Sequence, residues 1–342
     1  IDPSRANIMV VKEQIKRADW TLRLQMMNVI TLVEQAYDDL IFARENIKVQ
    51  EKALELSQRL LSENKKKVEV GAMAPLDEKQ AESQVAANKA NLIAARANLD
   101  ARQNALRILL TDNYRDWHAI NVEPQGGLVA VPETFDLQES WTKGLAQRPD
   151  LMQLKADLSV SHITARLDRN QVLPDFRANG GFGLSGLDGT LQGVMDDIGA
   201  RRNPNWYYGF SLSVPIANRA ARYTYRAAKL AEEQTGERLK QLQQNILMQI
   251  DDAVKTAQAN FEAVTARHEA ALYAQAALDA EQKKLENGKS TNFEVLQLQK
   301  NLTDALSAEL SAITDYNKAL AQLALREGST FERHKLNIQS RK

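Results

Sequence analysis

The sequence predicts a mainly α fold with a small β part: long antiparallel coiled-coil helical hairpins in two repeats, plus one β-hairpin of transmembrane type. Three observations predict it. Residues 4–70 contain neither proline nor glycine, the two residues that cost most inside a helix. "VEVGAMAPLDEKQAE" and "LENGKSTNFEVLQLQ" each break a long helix-forming run at one glycine, Gly71 and Gly288. Between these runs, "DFRANGGFGLSG" and "WYYGFSLSVPI" change to a period of two, the signature of a strand with two unlike faces.

Each element follows from its residues. In the first run Leu22, Met26, Val29, Val33, Tyr37, Leu40, Ala43 and Ile47 recur at steps of three or four, a stripe along one helix. Unbroken, that helix would reach roughly 100 Å, more than a compact domain accommodates. Gly71 can adopt the left-handed conformation that ends a helix, and Pro75 suits the first turn of the next. The second helix carries Val85, Leu92, Leu99 and Leu106 at seven-residue spacing, with nine alanines from 81 to 105 that let helices lie close. Thus 1–110 reads as a first helical hairpin with its turn at 71–75.

Residues 111–148 read as irregular, holding Pro124, Gly126, Gly127 and Pro132, with a short helix at "LQESWTKGLAQ". Pro149 opens a helix over 149–173 that Pro174 closes. The β-hairpin spans 174–217 with a loop at 186–205. On its strands Phe176, Phe182, Leu184, Trp206, Tyr208, Phe210, Leu212 and Val214 alternate with polar or small residues. About ten residues is the length a tilted membrane strand needs, and "WYY" resembles an interfacial aromatic girdle. A second hairpin follows over 218–328, with its turn at 288–291 and the stripe Val295, Leu298, Leu302, Leu306, Leu310, Ile313, Leu320 and Leu323. A charged tail, 329–342, is expected to be poorly ordered.

A shift of 217 (288 − 71) superposes the two hairpins without a gap: Glu45 on Glu262, Lys66 and Lys67 on Lys283 and Lys284, Gln80 on Gln297, Leu106 on Leu323. One supersecondary unit is used twice. The shift carries Ile1 onto Asn218, just past the second strand, so a strand pair of the first repeat is expected upstream of Ile1.

The ordered set "RPDL" (148–151), "LPDFRANGGFG", "GFSLSVPIANR", "EVGAMAPLDEKQAESQVAANKANL" and "ENGKSTNFEVLQLQKNLTDALSAEL" resembles the outer-membrane efflux proteins, the TolC-like channel-tunnels of Gram-negative bacteria. The resemblance covers nearly all of the chain. It implies a homotrimer in which each protomer gives four strands to a twelve-stranded barrel in outer-membrane lipid and its helices to a periplasmic α-barrel. A periplasmic adaptor and an inner-membrane pump feed the duct, for efflux or type I secretion. Two strands per chain would make six in a trimer, so this length of chain could equally be a monomer or a non-native assembly.

The resemblance also implies sites. Glu294 and Gln297, with Asp77 and Gln80 as first-repeat counterparts, fall where the family narrows its pore; three copies of Glu294 would form a cation-attracting ring. The plain alternative is an acidic residue favoured by the helix dipole in a first turn. Val70, Gly71, Ala72, Asn287, Gly288 and Lys289 match the adaptor-contacting tips, where the alternative is helix capping alone.

Other chemistry finds no support in the residues. Basic and acidic residues number 44 each without long blocks of one sign, which argues against a nucleic-acid partner. Cysteine is absent, and His118, His162, His268 and His334 lack ligand spacing, so no metal or other cofactor is expected. "GGFGLSG" lacks the GK[ST] of a phosphate loop, and no GxSxG turn occurs, so no enzyme is expected. The rival reading is a periplasmic coiled-coil adaptor or scaffold without a pore, which leaves two ten-residue alternating strands without a use.

Overall fold

The structure is a computed structural model, in which residues 2–336 are described. In chain order it comprises α1 (Pro3–Glu69), α2 (Pro75–Leu110), α3 (Tyr114–Trp117), α4 (Leu137–Gln147), α5 (Pro149–Gln171), β1 (Asp175–Leu184), α6 (Leu191–Gly199), β2 (Pro204–Ser213), α7 (Arg219–Glu286), α8 (Asn292–Glu327) and α9 (Thr330–Arg333). Two units divide the chain: residues 1–18 with 153–241, and residues 19–152 with 242–342. The 217-residue shift carries the end of α1 onto the end of α7, and both ends of α2 onto those of α8.

The larger unit is held by helix seams. Leu60 of α1, Leu278 of α7 and Val295, Leu296 and Leu302 of α8 form one buried cluster, flanked by Leu56, Leu285, Leu298 and Leu306. Each such side chain contributes about 1.5–3 kcal/mol on full burial. A second cluster joins Ala257 of α7 to Tyr316, Ala319 and Leu320 of α8, with Phe261 tilted against Tyr316 at 5.3 Å. The α2 seam buries Ala81, Asn88, Leu92, Ala95 and Leu106; the amide of Asn88 donates to the Ala53 carbonyl at 3.1 Å, which pairs this polar seam residue with α1.

Residues 121–136 form an irregular strap whose carbonyls are met by side chains of α1 and α8. Tyr37 donates to Gln125 O (2.7 Å), Arg44 to Pro124 O (2.7 Å) and Gly126 O (2.8 Å), and Tyr316 to Val131 O (2.8 Å) while accepting from Glu133 N (3.2 Å). Irregular backbone is thus satisfied without a sheet.

Arg148, buried at the α4–α5 junction, clamps three helices. Its guanidinium makes a fork on Asp150 (3.0 and 2.6 Å) and also donates to Gln249 Oε1 of α7 (3.0 Å) and to the Arg326 carbonyl near the end of α8 (3.3 Å). Gly328, at φ 81°, lets the chain pass this close: a Cβ there would lie 3.1 Å from the Arg148 nitrogen.

In the smaller unit β1 and β2 pair antiparallel along their whole length. Asn218, in the left-handed region at φ 36°, starts α7 and donates to the Val172 carbonyl at 2.9 Å, closing the ribbon's base. His162 of α5 meets Glu232 of α7 at 2.7 Å.

Four expectations change. On α1, Leu22 and Val29 are exposed, whereas Met27, Thr31 and Asp38 are buried, because neighbours cover more than one side of the helix and admit polar residues. The segment 111–148 holds two short helices rather than one. The loop after β1 contains α6. Within the tail, Thr330 is buried and begins α9, while 337–342 lie outside the described residues.

Candidate functional site

The two hairpin turns are built alike. After α1, Gly71 takes φ 75°, its N–H donates to Val68 O (3.0 Å) and the Ala72 N–H donates to Lys67 O (2.8 Å). After α7, Gly288 takes φ 71°, its N–H donates to Leu285 O (3.1 Å) and the Lys289 N–H to Lys284 O (2.8 Å). These are two Schellman caps, in which a left-handed glycine returns two N–H groups to the last helical carbonyls. Val70, Gly71, Ala72, Asn287, Gly288 and Lys289 are all exposed.

The helices that follow start differently. Pro75 opens α2 behind Ala74, which offers no side-chain cap. Thr291 caps α8: its hydroxyl accepts from Glu294 N (3.3 Å), and the Glu294 carboxylate accepts from Thr291 N (3.4 Å) and from the Ser290 hydroxyl (2.9 Å). This is a capping box, so Glu294 stabilises its own helix start whatever else it does. Across the turn, the Lys284 ammonium beside Glu281, then the Ser290 hydroxyl, holds the Glu281 carboxyl below the usual carboxylate range.

The remaining constriction candidates lie in the same unit. Gln297 is exposed one turn along α8 and donates to Asn301 (2.9 Å); Asp77 and Gln80 are half-buried on α2. Asn292 brings the two starts together. Its amide donates to the Asp77 carbonyl (3.2 Å), and its Oδ1 accepts from Asn64 (2.8 Å), which is fully buried. We expect Asn292→Ala to cost about 1–3 kcal/mol, since it leaves the buried Asn64 amide without its acceptor. Amide exchange should then quicken in both turns, and unchanged protection would show that the bridge does not hold them.

Sequence reasoning missed two exposed apolar residues at these turns, Leu76 and Phe293, at 66% and 62% exposure. The 217-residue shift pairs them, and that equivalence was the available signal.

The β-ribbon gathers all its aromatic residues but Tyr207 on one face. Phe176 lies opposite Leu212, Ala178 opposite Phe210, Gly180 opposite Tyr208 and Phe182 opposite Trp206, so both even-numbered sets share a side. Phe176 stacks on Phe210 (6.0 Å) and Trp206 on Tyr208 (5.8 Å). Phe176, Phe182, Trp206, Tyr208, Phe210, Leu212 and Val214 are each more than half exposed, and Leu184 is half-buried. On the other side the Tyr207 ring lies over Gly181, where a Cβ would fall 2.5 Å from it.

Among the described residues no helix is long and apolar enough to cross a membrane, and no group of three His, Asp or Glu is placed to hold a metal. His162, His268 and His334 each face a single carboxylate, and His118 the Arg115 carbonyl.

A doubled long helical hairpin, with a two-stranded ribbon that gathers most of its aromatic residues on one face, defines a class, proteins that join a small sheet to long coiled-coil helices. The profile of the outer membrane efflux protein family matches residues 3–111 and 142–328, and the chain belongs to that family, whose members are transport channels rather than enzymes. The fold is similar to the CmeC outer membrane channel of Campylobacter jejuni (TM-score 0.80, 18% identity, covering 97% of this chain and 70% of that one). It is similar as well to the outer membrane protein VceC of Vibrio cholerae (0.81, 17%, 95% and 75%) and to the open MtrE outer membrane channel of Neisseria gonorrhoeae (0.78, 18%, 95% and 72%). A search of the curated proteins found no match by sequence.

Proposed function

We propose that this chain is a subunit of a trimeric outer-membrane duct through which a tripartite assembly exports substrate, fed by a periplasmic adaptor and an inner-membrane pump. The observation that carries this reading is the doubled hairpin with matching glycine caps, together with a ribbon whose apolar residues share one face. In this reading Phe176, Phe182, Leu184, Trp206, Tyr208, Phe210, Leu212 and Val214 meet lipid. Val70, Gly71, Ala72, Asn287, Gly288 and Lys289 meet the adaptor, with Leu76 and Phe293 adding apolar contact. Glu294, Gln297, Asp77 and Gln80 line the narrowest part of the path, and Glu294 supplies its charge.

Conductance of the whole protein in planar bilayers tests the reading. Discrete, cation-selective channels are expected; a protein that stays in solution without detergent and passes no current would overturn it. Glu294 must be tested with its cap in mind. Glu294→Gln keeps a side chain that can close the capping box and removes the charge. It should lower cation selectivity and lose only the roughly 0.3–1 kcal/mol that a first-turn carboxylate gains from the helix dipole, whereas Glu294→Ala also loses the side-chain bonds to Thr291 N–H and the Ser290 hydroxyl. Unchanged selectivity in the glutamine variant would leave Glu294 as a cap alone.

A further inference from the structure

The segment between β1 and β2 is built rather than loose. Asp188 accepts from the backbone and hydroxyl of Thr190 (2.9 and 3.0 Å), and the Thr190 hydroxyl accepts from Gly193 N (3.2 Å) to cap α6. A Cβ on Gly186 would fall 2.4 Å from the Val194 carbonyl oxygen, and one on Gly193 2.2 Å from the Asp188 carboxyl, so both glycines are needed for the close approach. Arg202 returns to Asp197 through its N–H (3.1 Å) and its guanidinium (3.2 Å), and Ser185 N donates to Asn203 O (3.1 Å). The helix is therefore fastened to the strand ends.

Its apolar residues share one side. Leu191, Val194, Met195 and Ile198 follow the i, i+3, i+4, i+7 pattern, with Gln192 and Asp196 on the other. Val194 and Ile198 are half-buried, but Leu191 and Met195 are 77% and 61% exposed, and Leu187, four residues before Leu191, is 92% exposed. In a protein held by hydrophobic burial, a capped helix presenting two such side chains, with a third on the loop that leads into it, is built to be covered.

The end of the ribbon says by what. Phe182 pairs with Trp206, and Trp206 stacks on Tyr208, at the end of the ribbon where α6 is attached. Aromatic side chains of this amphipathic kind gather at membrane–water interfaces. We propose that α6 is an interfacial helix, laying its Leu191 and Met195, with Leu187 of the loop before it, into the lipid surface beside the ribbon and keeping Gln192 and Asp196 in water. The inference rests on the reading of the ribbon as lipid-facing and adds an anchoring surface beyond the strands.

These 342 residues contain no cysteine, so a cysteine introduced among them is a single labelling position within this stretch. In the whole protein reconstituted into phosphatidylethanolamine–phosphatidylglycerol vesicles, an environment-sensitive fluorophore would be placed by Leu191→Cys, Met195→Cys, Gln192→Cys, Asp196→Cys and Phe210→Cys. Labels at 191 and 195 should emit at shorter wavelength, be quenched by lipid-borne nitroxide at a depth of about 5–10 Å, and be shielded from iodide, while labels at 192 and 196 remain open to iodide. Iodide access at 191 and 195 equal to that at 192 would overturn the proposal. So would shielding from both quenchers, which would mean that protein covers α6. The label at 210 separates the two readings: if it too escapes lipid quenching, the ribbon's assignment fails first.

Discussion

Arg148→Ala should destabilise the protein by about 3 kcal/mol, the largest loss expected from a single polar side chain here. The side chain is 8% exposed; its removal takes the fork from the Asp150 carboxylate, which keeps the Leu151 N–H (2.9 Å), takes the guanidinium from the Arg326 carbonyl, and leaves Gln249 Oε1 to Arg326 Nη1 (3.3 Å). Breaking a buried pair by removing one partner costs about 3–5 kcal/mol, because the other charge stays desolvated. Asp150, at 27% exposure, retains some water, which moves the expectation toward the low end of that range. Arg148→Lys is the discriminating variant. A lysine keeps the charge but cannot fork onto the carboxylate while reaching α7 and α8, so it should recover less than half of the loss. Urea unfolding of the wild type and both variants measures this. A loss below about 1 kcal/mol for the alanine variant would put the clamp on a par with an exposed ion pair.

That clamp also marks where the sequence stops being legible. "RPDL" is visible as a helix start and holds the forked partner Asp150, yet the other two partners of Arg148 lie 101 and 178 residues away, and no local period announces them. The elements that could be read obey local rules. Gly71 and Gly288 stand out because a left-handed glycine is what ends a helix, and the ribbon stands out because alternation is confined to its two strands. α6 was hidden by composition: Gly193 and Gly199 depress helix propensity within nine residues, and the local Asp188–Thr190–Gly193 cap that offsets them lies in a stretch that Gly186 and Gly189 make read as loop.

The candidate site divides along the same line. The positions of both turns follow from the repeat, since residues 217 apart adopt the same cap. The bridge that joins them does not follow from it, because Asn64 and Asn292 are 228 residues apart and the shift pairs neither with the other. Glu294 was legible as an acidic residue in a first turn, but its carboxylate is engaged by Ser290 and Thr291, a detail that decides how its substitution must be interpreted. On α1 the apolar stripe misled at Leu22 and Val29 because hydrophobic period assumes one covered face, and here Thr31 and Asp38 are covered as well.

Asp38 carries the second large prediction. It is buried, and burial first, then the nearby Glu34, pushes its carboxyl up to about 6 from an ordinary 3.8; Lys318 and Arg333 oppose the rise, and Asp39 adds to it. Lys318 is engaged by Asp39, Arg102 also meets Asp39 at 3.2 Å, and Arg333 lies 3.6 Å from Glu34, so the cations around Asp38 are already shared with other carboxylates. A folded-state value above the unfolded one means that the native protein holds the proton more tightly. The stabilisation is complete below about pH 3.8 and is lost as pH rises through about 6. Through this group the native protein is about 2–3 kcal/mol less stable at pH 7 than below pH 3.8.

Asp38→Asn replaces that carboxylate with a neutral group of nearly the same shape. It should stabilise the protein by about 1–3 kcal/mol at pH 7, with the gain shrinking toward zero near pH 4, where Asp38 is protonated in the wild type as well. Unfolding free energies of both proteins at pH 4, 5, 6 and 7 test the sign directly. A loss of stability in the variant at pH 7 would show that Lys318 and Arg333 rely on the Asp38 charge after all, and a gain independent of pH would show that the amide acts through packing rather than titration. The expected convergence at low pH distinguishes a desolvated acid from both.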